Sequence, residues 1–170
     1  MTIAQVLLAD FDREIANTRR TLERVPEDKP DYKPHEKSMP LGKLAMHCAT
    51  MSLFGAYIIE DEDMDMAAPR HPHAPLEFQS RAACLQALEE SAARCRAAVA
   101  SASDAHLAQP WDFRFGEHPI SNDSRLLTFR TMYFNHLIHH TAQLGVYYRL
   151  LGVPVPALYG PSADEQWSAK

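Results

Sequence analysis

The segment Tyr133–Tyr147, YFNHLIHHTAQLGVY, decides how the rest of the chain is read. Apolar residues recur at steps of three and four through Leu126, Phe129, Tyr133, His136, His140, Leu144, Tyr147 and Leu151, which predicts one long helix. His136 and His140 lie four residues apart in that stripe, so both imidazoles fall on one face, one turn apart. Two nitrogens so placed can reach one metal ion. The stripe is the face expected to pack on the core, where an imidazole without a partner is costly to bury. The pairing therefore calls for something that binds it.

Three further helices are predicted upstream. Thr2–Arg24 carries Ile3, Leu7, Phe11, Ile15, Leu22 and Val25 near a 3.6-residue period and stops at Pro26. After a Pro-rich connector over Glu27–Pro40, a second helix runs from about Pro40 to about Glu60, with stripe Leu44, His47, Met51, Phe54 and Ile58. It places a third histidine, His47, inward. An Ala-rich helix follows from about Ser80 to Ser101, with stripe Leu85, Leu88, Ala92, Cys95 and Val99. The last helix is expected to start near Asn122 or Asp123 as cap and to end at Gly152, ahead of Pro154.

No stretch reads as a convincing strand, although WDFRFGEHPI, residues 111–120, has the make-up of a short hairpin or lid. The acidic run Glu60–Asp65 lacks the glycine and spacing of a calcium loop and reads as a solvated helix end. His71 and His73 fall in a proline-broken loop, a poor preorganised metal site. The expected fold is all-α: a single four-helix-bundle domain over residues 1–170, with long loops and an ordered Pro-rich C-terminal arm.

Composition narrows the function. The chain has 17 Lys and Arg against 22 Asp and Glu, a net charge of −5, and no densely basic stretch, which argues against nucleic acid or an anionic membrane as partner. No apolar run approaches the ~20 residues that cross a bilayer, and the N-terminus lacks a signal peptide's basic region. The three cysteines, Cys48, Cys84 and Cys95, form no C-x-x-C pair, which points to a reduced, cytoplasmic protein.

His47, His136 and His140 together would give three nitrogen ligands suited to zinc, nickel, copper or iron. Three protein ligands leave a coordination position open for water or substrate. His139 points about a third of a turn away and remains an alternative to His140. Gln143, one turn beyond His140, and Thr50, one turn beyond His47, are candidates to orient the ligands. HLIHH has no Glu where a zinc protease keeps its general base, and neither stripe supplies an inward carboxylate, so peptidase chemistry is disfavoured.

These features resemble the DinB family of bacterial four-helix-bundle proteins, grouped with the YfiT-like metalloenzymes and unrelated to the DNA polymerase of the same name. The likeness covers essentially the whole chain and rests on the inward His47, on NHLIHHTAQLGVYYRLLG at Asn135–Gly152, and on the tail Val153–Glu165. The resemblance implies a divalent metal, often nickel or zinc, on positions matching His47, His136 and His140. It also implies homodimers and, in some relatives, thiol-dependent S-transferases and isomerases. Family members commonly carry Arg-Gly after the double histidine, where this chain has Thr141-Ala142.

Two functions follow as expectations. One is a metal-dependent enzyme acting on a small molecule, transferring a low-molecular-weight thiol or hydrolysing a small electrophile. The other is a non-catalytic dimeric helical-bundle protein for binding or stress response, with a structural or vestigial metal. If instead the three histidines are ordinary hydrogen-bonded core residues, each needs a buried partner of its own.

Overall fold

The computed structural model describes residues 1–72, 74 and 76–166, so His73 lies outside the described residues. The chain is mostly helical. Helix α1 (Ile3–Leu22) begins at a capping box in which Thr2 accepts from the Gln5 N–H and the Gln5 side chain accepts from the Thr2 N–H. Leu7, Phe11 and Leu22 are buried on its inner face.

The second predicted helix is two helices, α2 (Leu41–Thr50) and α3 (Ser52–Glu60), with a break at Met51. The connector before them is not loose. The Tyr32 and Pro30 carbonyls accept from the Leu41 and Gly42 N–H groups and so satisfy the first donors of α2, which has no side-chain cap. At the break, Ser91 of the next helix donates its hydroxyl to Ala49 O at 2.6 Å. Helix α4 (Arg81–Ser101) starts from Ser80, whose hydroxyl caps Ala83 N–H, and it packs on α1, α2 and α3. Cys84 and Cys95 are core residues there, Cys95 in the predicted stripe. A short helix α5 (Asp104–Leu107) follows.

Three short strands form a sheet in the order β1-β2-β3, where the sequence offered no convincing strand beyond a candidate hairpin or lid at 111–120. β1 (Asp63–Asp65) lies parallel to β2 (Asp112–Phe115), and β2 pairs antiparallel with β3 (His118–Ser121) around Gly116, which takes a positive φ of 57°. The hairpin falls where the 111–120 segment suggests one. β1 was hidden because it is three acidic and thioether residues with no alternation to detect. Its charge is met by tertiary partners, with Arg114 paired to Asp63, Asp65 and Asp112.

The final helical stretch starts later than predicted, with Ser124 rather than Asn122 or Asp123 as the cap of α6 (Arg125–Thr128). It continues through a π-helical turn, Phe129–Phe134, into α7 (Asn135–Leu151), which ends at left-handed Gly152. In the π turn the Asn135 N–H reaches back five residues to Arg130 O, while the Thr131 hydroxyl occupies Leu127 O. One extra residue in a turn rotates all that follows by roughly 100°. Phe134, Leu137, Thr141 and Tyr148 accordingly join the buried face, while Leu144 and Tyr147 of the predicted stripe stay buried on it. His136 and His140 are carried from the predicted core stripe to its margin. Beyond Gly152, Arg24 donates to Pro154 O and pairs with Glu165, and Arg149 pairs with Asp164, so the tail through Gln166 is tied to α1 and α7.

α3 meets the π turn at a close joint. A Cβ on Gly55 would lie 2.9 Å from both Cys95 Sγ and Tyr133 Cδ1, and beside it Tyr133 and Ser52 share a buried hydrogen bond of 2.8 Å. Gly55→Ala is expected to destabilise the protein by about 1–3 kcal/mol through overpacking. Gly160→Ala, where no atom stands within 4 Å, should be neutral; paired thermal or denaturant melts check the contrast.

Candidate metal centre and cavity

α2 packs against α7, and this contact brings His47 to His136 and His140. The ring centroids stand 5.4 Å apart for His47 and His136, 4.7 Å for His47 and His140, and 4.6 Å for His136 and His140. One ring nitrogen from each lies within 4.8 Å of the other two. A tetrahedral ion with ~2.05 Å bonds would hold such nitrogens about 3.3 Å apart. Small side-chain rotations close that difference, so the donor set fits a transition-metal ion, and the three-His cluster is compatible with a metal site.

The rings are not core residues. His47 and His140 are half-buried and His136 is exposed, so the expected inward burial is corrected by the π-turn rotation. His139 is exposed and outside the cluster. Gln143 does reach His140: Nδ1–H donates to Oε1 at 2.7 Å, which leaves Nε2 as the free donor atom toward a metal. Thr50 does not take the corresponding part. Its hydroxyl donates to Met46 O at 2.9 Å along its own helix. Thr141, standing where relatives were expected to carry Arg, is buried beside Thr18 and faces away from the histidines into the core.

Burial lowers the pKa of all three rings. His47 falls furthest, from 6.5 to about 4, through desolvation first and then the charges of His140, His136 and Lys43. His136 and His140 fall by the same leading cause, opposed for His140 by its hydrogen bond to Gln143. Neutral imidazoles at pH 7 are the form that ligates metal.

A cavity of about 530 Å³ opens beside the cluster, lined by both His47 and His136. Its walls are largely apolar, from Met51, Phe54 and Met132 on the helices to Met64 and Phe113 on the sheet. It also contains a pair the sequence did not reveal. Asp61 Oδ2 lies 2.8 Å from His71 Nε2, and the His71 ring stacks on Tyr57 at 4.0 Å and 4°. Asp61 is held in place by its backbone, whose carbonyl accepts from Trp111 Nε1 and from Arg125. No periodic signal marks this pair, since Asp61 sits in an acidic run and His71 in a proline-broken loop. The cavity thus has the carboxylate that neither helical stripe supplies.

Fold and site together define a mostly helical protein with a histidine cluster at the mouth of an apolar cavity. The sequence matches the DinB superfamily over residues 10–144, and the chain belongs to that superfamily. Its fold is similar to that of solved DinB-like proteins from Bacillus cereus (TM-score 0.67, 20% identity, 93% of this chain and 98% of that one) and Bacillus subtilis (0.69, 20%, 94% and 97%). A DinB family member from Exiguobacterium sibiricum is also similar (0.62, 18%, 92% and 97%). No curated protein matches the sequence. No helix among the described residues is long and apolar enough to cross a membrane.

The depressed His47 pKa sets a pH dependence. Between about pH 6.5 and 4 the unfolded chain binds a proton at His47 that the folded chain does not, so stability falls as pH drops through that window and levels below it. Denaturant midpoints of metal-free wild type and His47→Gln should diverge there, with the variant's profile the flatter of the two.

Proposed function

We propose that the protein is a divalent-metal enzyme acting on a small molecule, with His47, His136 and His140 as ligands and nickel or zinc as the metal. The carrying observation is the closed triangle of three neutral imidazoles opening on an apolar cavity large enough for a small-molecule substrate. The reactions that suit it are transfer of a low-molecular-weight thiol and hydrolysis of a small electrophile. When bound, such an ion acidifies a coordinated thiol or water and polarises an electrophile.

The remaining work falls to the chain's own residues. Gln143 fixes the tautomer and plane of His140. The apolar walls at Met51, Phe54 and Phe113 keep bulk water away from a bound substrate. The wider architecture fits this role: α1, the α2–α3 pair, α4 and the α6–α7 stretch are read as a four-helix bundle, with the Pro-rich tail as an arm across α1 and α7. A homodimer is proposed as well, supported by Val146 and Leu150, 58% and 59% exposed one turn apart on α7.

A non-catalytic holding role is the second reading. It is favoured by one observation: among the described residues, only Gln143 hydrogen-bonds the three ligand rings through a side chain, and no carboxylate does. Elemental analysis of untagged wild type and His136→Ala separates the outcomes. Near-stoichiometric nickel or zinc, lost in the variant and on chelation, is the expected result. A folded, metal-free wild type that cannot be reloaded would overturn the metal reading.

A further inference from the structure

His47 and His136 of the histidine cluster and the Asp61–His71 pair line one continuous cavity, although His47 and Asp61 stand at opposite ends of the α2–α3 stretch. His47 and Tyr57, on which His71 stacks, are ten residues apart along α2 and α3, about 15 Å at 1.5 Å per residue. That separation is too long for a direct proton transfer between the two polar ends. Between them the lining is largely apolar, from Met51 and Phe54 on the helices to Met64 and Phe113 on the sheet. Phe54 and Phe113 are in ring contact at 5.4 Å and so make one apolar surface along this middle section.

The far end is built rather than incidental. His71 Nε2–H donates to Asp61 Oδ2, and in that neutral tautomer Nδ1 is the ring's acceptor. Among the described residues Nε2 alone of the two ring nitrogens is hydrogen-bonded. Tyr57 fixes the ring plane, and Arg94, paired with Glu60, lies over the Tyr57 ring. The other charges around this end are already matched, Arg70 with Asp63 and Arg114 with Asp63 and Asp65. Among the described residues, His71 Nδ1 is thereby left without a partner at this end and can meet a ligand.

We propose that the cavity takes an elongated, mostly apolar ligand that presents a metal-binding group to His47, His136 and His140 and a hydrogen-bond donor, a hydroxyl or amine, to His71. This specifies the substrate class of the metal site and rests on that site's reading. His71 contacts the ligand, and Asp61 and Tyr57 position His71.

The test uses full-length, zinc-loaded protein and calorimetric titration with acetohydroxamate, octanohydroxamate and ω-hydroxyoctanohydroxamate, whose shared head group binds metal. Affinity should climb steeply with chain length, by up to about fourfold per buried methylene. The ω-hydroxyl should improve binding relative to the value expected for its added polarity by about fivefold in wild type. That preference should vanish in His71→Phe, which keeps a ring on Tyr57, and in Asp61→Asn, which keeps the shape but removes the charge that sets the His71 tautomer. Acetohydroxamate affinity should be the same in all three proteins. Equal affinities for short and long chains, with acetohydroxamate still bound, would overturn the spanning ligand and leave the metal site standing. An ω-hydroxyl preference that survives both substitutions would overturn the role of His71. Failure of wild type to hold zinc or bind acetohydroxamate would overturn the metal reading itself, and this inference with it.

Discussion

The joint between α3 and the π turn governs both ends of the site. Gly55 lets the Tyr133 ring approach to where any side chain would collide, and the Tyr133 hydroxyl, fully buried, finds Ser52. Burial holds that phenol well above its ordinary pKa, so it stays protonated and the hydrogen bond persists at physiological pH. With this contact in place, α2 is aligned along α7 and His47 meets the histidine pair. The same contact sets α3, whose far end carries Tyr57 and Asp61.

The π turn accounts for the chemistry of the histidines as well as their position. Had the helix run on uninterrupted, His136 and His140 would continue the buried face of Phe129 and Tyr133 into the core. There they would need buried partners and could not exchange a ligand. Rotated to the margin, they keep enough burial to stay neutral, and His136 lines the cavity. Half-burial is what a replaceable coordination position needs: dry enough to favour neutral donors, open enough to admit a substrate.

The small sheet has a comparable role on the opposite wall. β1 brings its acidic residues beside β2 with Arg114 paired to three carboxylates and Arg70 to Asp63. Trp111 and Arg125 hold the carbonyl that ends α3. Together they turn an acidic helix end into a structured wall and present the Asp61 side chain to His71. A polar segment that would read as solvated thereby becomes part of the cavity.

Local rules were enough for much of this. The left-handed Gly152, the core position of Cys95 and the helical character of four segments all follow from spacing and cap chemistry, which act within a few residues. So does the one-face placement of His136 and His140, because a four-residue interval survives any rotation of the helix as a whole. The sequence alone could not say which way that face points, since the π turn results from competition for the Leu127 and Arg130 carbonyls. Nor could it reveal β1, a parallel partner almost fifty residues from β2 with no alternation of its own. The meeting of Asp61 with His71, and of His47 with His140 rather than His139, was likewise decided by packing between elements distant in the chain. Periodicity reports the faces of single elements; only the tertiary structure determines which faces meet.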